Sequence, residues 1–277
     1  MVVLSGIEAL KKQLLNLMCS AMPEFFVRKF LPENFIMYGH VISDSKHFIG
    51  DYYQYPTLNQ FDKLINRFQQ YGYEFVSLTS YLKPEKGKKK ILLSFDDGFK
   101  VIADELHPYM MKNKIPYAVF VLTQPLVDSA FQIDSVKNTS GNRCFLNEEE
   151  VRTLKNDGVH IGFHSRTHLK IENEHLGSDL LNTELSVPEN FLNLFSKPIS
   201  FAYPYLAPSD FISFNKFMHE NWGYEYFFDT KGFNAPAKDH FFRVSIDAEK
   251  GLNANDWLMF VIKRQLILHL INNLKLK

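Results

Sequence analysis

Two pairs of residues in this sequence have types and spacing that could do chemistry together: the adjacent carboxylates Asp96 and Asp97, and the histidines His164 and His168. Imidazoles four residues apart can turn to the same side and share one metal ion. Hydrolytic zinc sites typically take three protein ligands and keep a position for water, so one of the two aspartates could complete the set. Adjacent carboxylates at the end of an apolar run call for a cation or a raised pKa. Asp96-Asp97-Gly98 is also ordinary turn chemistry, with Gly98 able to take a positive φ. If it is a site, the labour divides. One aspartate binds the metal and its neighbour takes a proton from water, whose pKa a bound zinc lowers to about 7. That chemistry suits hydrolysis of an unactivated amide or ester.

Each cluster lies at the end of an apolar run. Lys90–Phe95 (KILLSF) runs into Asp96, Val159–Phe163 (VHIGF) into His164, and Ile199–Tyr203 into Pro204-Tyr205. These runs read as buried strands, with further strands expected at Asn34–Val41, Glu74–Leu78, Tyr117–Leu122, Phe227–Asp229 and Phe241–Ile246. Between them, Leu58–Tyr71 has apolar residues at Leu58, Phe61, Leu64, Ile65 and Phe68, the spacing of an amphipathic helix. Val101–Lys112, Asn147–Asn156 (capped by Asn147), Phe211–Asn221 and Asp256–Leu274 (capped by Asn255) are also expected to be helical, and Glu172–Leu194 helix-rich. Ser43–Pro56 reads as a polar loop. Strand alternating with helix predicts parallel strands in a barrel or an open sheet, and both gather chemistry at the C-terminal strand ends.

Composition narrows the class. The chain has 277 residues, 31 basic against 31 acidic, and 26 Phe with 13 Tyr, enough apolar material for a sizeable core. Zero net charge argues against a nucleic-acid partner, which usually meets a basic face. Cys19 and Cys144 lack disulfide-framework or metal spacing, so a reducing compartment is expected. No apolar run approaches the roughly 18 residues that span a bilayer. Lys11 and Lys12 interrupt the first apolar stretch instead of preceding it, unlike a secretory signal. A soluble intracellular protein is therefore expected. Leu4, Ile7, Leu10, Leu14 and Leu17 recur at helical spacing beside the two lysines. Packing on the protein's own domain and contact with a membrane surface both account for that stripe.

Taken in order, the motifs resemble a known family. Ser94–Gly98 (SFDDG) resembles the TFDDG motif of the polysaccharide deacetylases, the NodB-homology group or carbohydrate esterase family four. His164–His168 (HSRTH) matches its H-S/T-x-x-H motif, and Phe201–Tyr205 (FAYPY) is similar to its third motif, written around Arg-Pro-Pro-Tyr-Gly. The segments Asn147–His164 and Ile115–Phe120 extend the resemblance, which covers roughly Phe35 to Ile246. It implies an α/β fold, a distorted, often seven-stranded (β/α) barrel in a single domain. Residues 1–30 would form an N-terminal amphipathic helical segment and residues 31–277 the barrel. The implied reaction is metal-dependent removal of an N-acetyl group from an amino sugar of a cell-envelope polysaccharide or its lipid-linked precursor. One divalent ion, zinc by expectation, would serve it. From the charge-interrupted first apolar stretch and the N-terminal leucine stripe, and not from the resemblance, the chain is expected to be cytoplasmic or peripheral to the inner membrane, with membrane contact through a lipid-linked substrate.

The resemblance also implies roles: Asp96 as base, Asp97, His164 and His168 as metal ligands, and Tyr205 lending its backbone N–H to the oxyanion. The family's acid is a histidine in a late Leu-x-His motif, and His269 in Leu266-Ile-Leu-His269 is the nearest match, with His240 a second candidate. His40, in Tyr38-Gly-His40, and Tyr203 are expected to line the substrate cleft. The sequence departs from the pattern where Ala202 replaces the third motif's arginine and Leu206 its glycine, which leaves Asp96 without an orienting partner. Two other readings stand beside this one: a catalytically silent carbohydrate binder, and an amidohydrolase acting on a non-sugar or formylated amide.

Overall fold

The computed structural model describes residues 6–83, 85–133, 143–233, 237–250, 252 and 256–275. Leu4 and the expected cap Asn255 lie outside them, as does the side chain of Ile7. The described residues form ten strands: β1 (Asn34–Gly39), β2 (Tyr53–Gln54), β3 (Tyr73–Phe75), β4 (Lys89–Phe95), β5 (Ala118–Val121), β6 (His160–Phe163), β7 (Ser200–Ala202), β8 (Tyr226–Asp229), β9 (His240–Ser245) and β10 (Ala248–Glu249). Seven of them close a parallel barrel in the order β1-β4-β5-β6-β7-β8-β9, with β9 returning to β1. β3 lies outside the ring, along the first half of β4.

The barrel is built on period-two alternation, which sends successive side chains to opposite faces. Ile36, Leu92, Ala118, Phe120, Ala202 and Phe228 fill the interior. Their neighbours Phe35, Met37, Leu93, Val119, Val121, Phe163, Phe201 and Val244 face outward and pack beneath the helices. Parity therefore decides which residue at a strand end can reach the central cleft. Asp96 follows inward-facing Ser94, His164 follows Gly162, and His40 follows Tyr38.

Helix positions follow the local signals. Thr57 and Gln60 form a capping box that starts helix Leu58–Gln70, which buries Phe61, Leu64, Ile65 and Phe68. Asn147 and Glu150 do the same for helix Glu148–Asn156. Two expectations are corrected and a third is refined. Val101–Lys112 is a widened π turn at Ile102–Leu106 followed by helix His107–Asn113; Pro108 has no N–H to give back to the preceding turn. The loop Ser43–Pro56 contains a 3₁₀ turn, Phe48–Asp51, and β2, which pairs antiparallel with β10. In Glu172–Leu194 only Asp179–Leu185 is α-helical, between 3₁₀ turns at Asn173–His175 and Glu189–Leu194.

Helix Gly6–Ala21 packs on helix Trp257–Lys275, with Cys19 buried between them. Leu10, Leu14 and Leu17 are exposed. Among the described residues, no helix is long and apolar enough to cross a membrane.

Gly162 on β6 has no room for a side chain. A Cβ there would sit 2.5 Å from the Phe120 ring and 2.7 Å from Ser200 Oγ. Gly162→Ala is expected to cost about 1–3 kcal/mol by overpacking, read as a lower urea midpoint with an unchanged m-value.

Candidate active site

A cleft of about 430 Å³ opens at the C-terminal ends of the barrel strands and reaches Asp96, Asp97, His164, His168 and His40. Asp96 extends β4 and keeps inward parity. Asp97 would by parity face the apolar helix layer, but its φ of 67° turns it back toward the cleft, and Gly98 follows at 71°. Such φ values are strained for a residue with a side chain and are held only where the surroundings fix them. Ser165 and His168 repeat the device with φ of 68° and 67°, and Ser165 Oγ accepts the His168 N–H at 3.0 Å.

These turns bring three donors together. Asp97 Oδ1 lies 3.3 Å from Nε2 of both His164 and His168. His164 Nδ1 donates to the Ala202 carbonyl at 2.8 Å, which leaves its Nε2 as the lone-pair nitrogen toward the cleft. Burial pushes His168 down to about 4, so that ring is neutral. Burial opposes ionisation of Asp97, yet the adjacent His168 and His164 hold its carboxyl below the ordinary range. Asp97 Oδ1 is buried with no hydrogen-bond donor. Among the described residues, these three form a cluster suited to one metal ion. One carboxylate and two imidazoles are a common donor set for a divalent ion such as zinc.

Asp96 has a separate partner. Arg243, on β9 and fully buried, gives a two-pronged pair, Nη1 to Oδ1 and Nη2 to Oδ2, each at 2.7 Å. Its guanidinium also lies 4.6 Å from the centre of the Tyr38 ring and donates to Ser94 Oγ at 3.2 Å. Burial works against the Asp96 charge, but Arg243 outweighs it and holds the carboxyl below the ordinary value. This is the orienting partner missing from the third motif.

On the other wall, His40 Nδ1 lies 2.7 Å from Asp247 Oδ2. Burial alone would depress the imidazole, but the hydrogen bond and charge of Asp247 push it up to about 9. At neutral pH His40 is therefore a protonated donor, with its second nitrogen available.

Tyr205 has a φ of 61° and its ring centre is 4.7 Å from that of His168. The end of β8 clamps this turn from both sides. Buried Asp229 Oδ1 accepts the Ala207 N–H at 3.2 Å and the Thr230 N–H at 2.7 Å, while the Thr230 hydroxyl donates to the Tyr205 carbonyl at 3.1 Å.

The structure thus brings Asp96, Asp97, His164, His168, His40 and Tyr205 to one cleft. Of the other expected residues, Tyr203 lines the cleft with its hydroxyl turned out of it, and His269 falls elsewhere. Tyr203 borders the cleft, but it follows inward-facing Ala202 and so points outward. Its hydroxyl donates to Asn215 at 2.8 Å inside the helix layer, away from any substrate. His269 sits on the outer helix Trp257–Lys275, 3.0 Å from Asn273 and against the Phe233 ring. A barrel helix cannot deliver it to the strand ends. His240 is buried beside Asn215 and Asp229 and does not line the cleft. Sequence reasoning missed Arg243 and Asp247. The usable signal for Arg243 was a charged residue inside the apolar strand HFFRVS.

Residues 83–220 match the polysaccharide deacetylase family. Solved structures share the fold at low identity. The Streptococcus pyogenes deacetylase PplD, solved in complex with acetate, is 17% identical with a TM-score of 0.62, over 82% of this chain and 97% of that one. IcaB from Ammonifex degensii is 17% identical with a TM-score of 0.58, over 84% and 97%. A de-N-acetylase from Aggregatibacter actinomycetemcomitans is 16% identical with a TM-score of 0.58, over 82% and 97%. No curated protein matches the sequence.

Breaking a buried ion pair from one side strands the other charge and costs about 3–5 kcal/mol. Arg243→Met is expected to destabilise the fold by that order, and Arg243→Met with Asp96→Asn by clearly less. Chemical unfolding of the four proteins in this double-mutant cycle measures the coupling.

Proposed function

Because the chain belongs to the polysaccharide deacetylase family, we propose that it hydrolyses the N-acetyl group of an amino sugar in a cell-envelope polysaccharide or its lipid-linked precursor. The observation that carries this reading is the convergence, in one cleft, of a three-donor cation site, an ionised carboxylate and a protonated imidazole. A divalent ion on Asp97, His164 and His168, zinc by its donor set, would supply the Lewis acidity that makes water easier to deprotonate and the acetyl carbonyl easier to attack.

The remaining work belongs to the chain. Asp96, kept ionised and aimed by Arg243, takes the proton from the attacking water. Water oxygen bonds to the acetyl carbon, and the Tyr205 N–H, set by the Asp229–Thr230 clamp, stabilises the resulting oxyanion. As the C–N bond breaks, His40 gives its proton to the departing nitrogen, so that acetate and a free amine leave. His40 therefore takes the acid role first sought at His269. Arg243 on Asp96 and His40 in the cleft support this reading over a catalytically silent carbohydrate binder. Apart from the catalytic groups, the described residues lining the cleft are uncharged, with Ile49, Tyr53, Ile133 and Leu206 forming much of its wall. That lining suits a neutral N-acetylated sugar with an apolar ring face. A cytoplasmic setting completes the proposal.

The test is metal content together with acetate release. The zinc-loaded protein is expected to hold about one ion per chain and to release acetate from N-acetylglucosamine oligomers. Asp97→Ala and His164→Ala are expected to lose the ion, whereas Asp96→Ala should keep it and lose turnover by about 10²–10⁴. A protein that takes up no divalent ion, or an Asp96→Ala variant as active as the parent, would sink the reading.

His40 gives a pH dependence whose sign is fixed. Its pKa in the folded protein, about 9, is above the ordinary 6.5 or so. The His40–Asp247 pair therefore adds stability that is complete below about pH 6.5 and fades as pH rises through 9. Turnover should fall over the same alkaline range as the donor proton is lost. Asp247→Asn removes the charge and leaves burial, so the alkaline limb of the pH–rate profile is expected to move to lower pH.

A further inference from the structure

The N-terminal helices present a surface that the barrel leaves uncovered. On helix Gly6–Ala21 the side facing the barrel includes buried Cys19 and Lys12, whose Nζ bonds Glu249 at 2.7 Å. The opposite side exposes Leu10 (65%), Leu14 (57%), Leu17 (66%) and Met18, spaced so as to form one continuous stripe. After Pro23 the chain turns into helix Glu24–Phe30, where Phe25 is 70% exposed. So many large apolar side chains on consecutive turns are not the scattered exposure of an ordinary surface.

Charge identifies what covers it. The chain as a whole is neutral, yet from Leu10 to Phe30 it has four basic residues and a single acid, Glu24. That acid is occupied by the Tyr71 hydroxyl at 2.6 Å, and Lys12 by Glu249. Lys11, Arg28 and Lys29 remain exposed beside the apolar stripe. An apolar helix face edged by basic side chains matches the boundary between acyl chains and anionic headgroups. A second copy of the same surface would set these cations against each other.

The surface is tied to the catalytic end of the barrel. Glu249, the partner of Lys12, lies on β10 opposite Tyr53 of β2, and the Tyr53 ring, 5.3 Å from that of His40, forms part of the cleft wall. We propose that Leu10, Leu14, Leu17, Met18 and Phe25 seat the protein on an anionic phospholipid surface, with Lys11, Arg28 and Lys29 on the lipid phosphates. The docking does not depend on the hydrolase reading. Where that reading holds, a sugar carried on a lipid is presented beside the cleft.

The full chain is tested by co-sedimentation with vesicles of phosphatidylglycerol and phosphatidylcholine in equal parts, and with vesicles of phosphatidylcholine alone. Binding is expected for the anionic vesicles and should weaken with salt. Leu14→Glu with Leu17→Glu is expected to lower it at least about tenfold, and Lys11→Gln or Arg28→Gln roughly fivefold each. Circular dichroism checks the fold of each variant, and Phe25→Ser, on the separate short helix, gives an independent loss. No binding to anionic vesicles, or binding indifferent to these substitutions, would overturn the proposal. So would a parent dimer that Leu14→Glu with Leu17→Glu converts to monomer without any vesicle binding, since the stripe would then belong to a second copy.

Discussion

Two carboxylates buried side by side cannot share one counter-charge, and the arrangement of this barrel follows from separating them. Strand parity sends Asp96 inward, where Arg243 meets both of its oxygens. The same parity would send Asp97 into the apolar layer under the helices, where an unpaired charge costs far more than a strained backbone. The left-handed turn at Asp97 reverses it toward two imidazoles. A single β-to-loop junction thereby yields one carboxylate held by a fixed cation and a second aimed at two imidazoles. The different partners of the two aspartates are a consequence of backbone direction.

The second cluster obeys the same constraint. His164 arrives by inward parity from β6, and the Ala202 carbonyl of β7 fixes which nitrogen it offers. His168 arrives only because Ser165 and His168 both take left-handed conformations. Ala202, standing where an arginine was sought, is thus not idle. Its small side chain lies in the barrel interior near Phe120 and Phe228, and its carbonyl sets the imidazole next door.

What could be read from the sequence was local. Apolar runs ending in Asp96 and His164 located the strands and their chemical ends. Apolar spacing from Leu58 and a cap at Asn147 marked helices, and two strand-end motifs supplied the three donors of the cation cluster. What could not be read was long-range. Arg243 and Asp96 are 147 residues apart, and His40 and Asp247 are 207 apart; both pairs exist only because β9 returns to β1 and closes the ring. Tyr203 lines the cleft as expected, but its hydroxyl turns away from it. Once Ala202 is assigned to the interior, period two places Tyr203 outside, so the information was present in the strand itself. His269 failed for another reason. The letters of a late Leu-x-His motif were matched in a segment whose own pattern is helical, and a helix on the outside of a barrel has no route to the strand ends.

Closure also explains how Arg243 reaches Asp96 from another strand. β1 lies between β4 and β9, and its inward residue Tyr38 forms the floor across which Arg243 extends to Asp96, with the guanidinium over the ring face. A long, planar, permanently charged side chain can span one intervening strand, stack on its aromatic and still present a two-pronged face to a carboxylate. The requirement is an inward position within one strand of the base, together with a flat surface to cross. β9 meets it with Arg243 at inward parity. Two residues beyond the end of β9, Asp247 reaches His40 at the tip of β1. A single returning strand and its exit therefore provide both the cation that holds Asp96 and the anion that pairs with His40, so closing the barrel and completing these two buried pairs are one structural event.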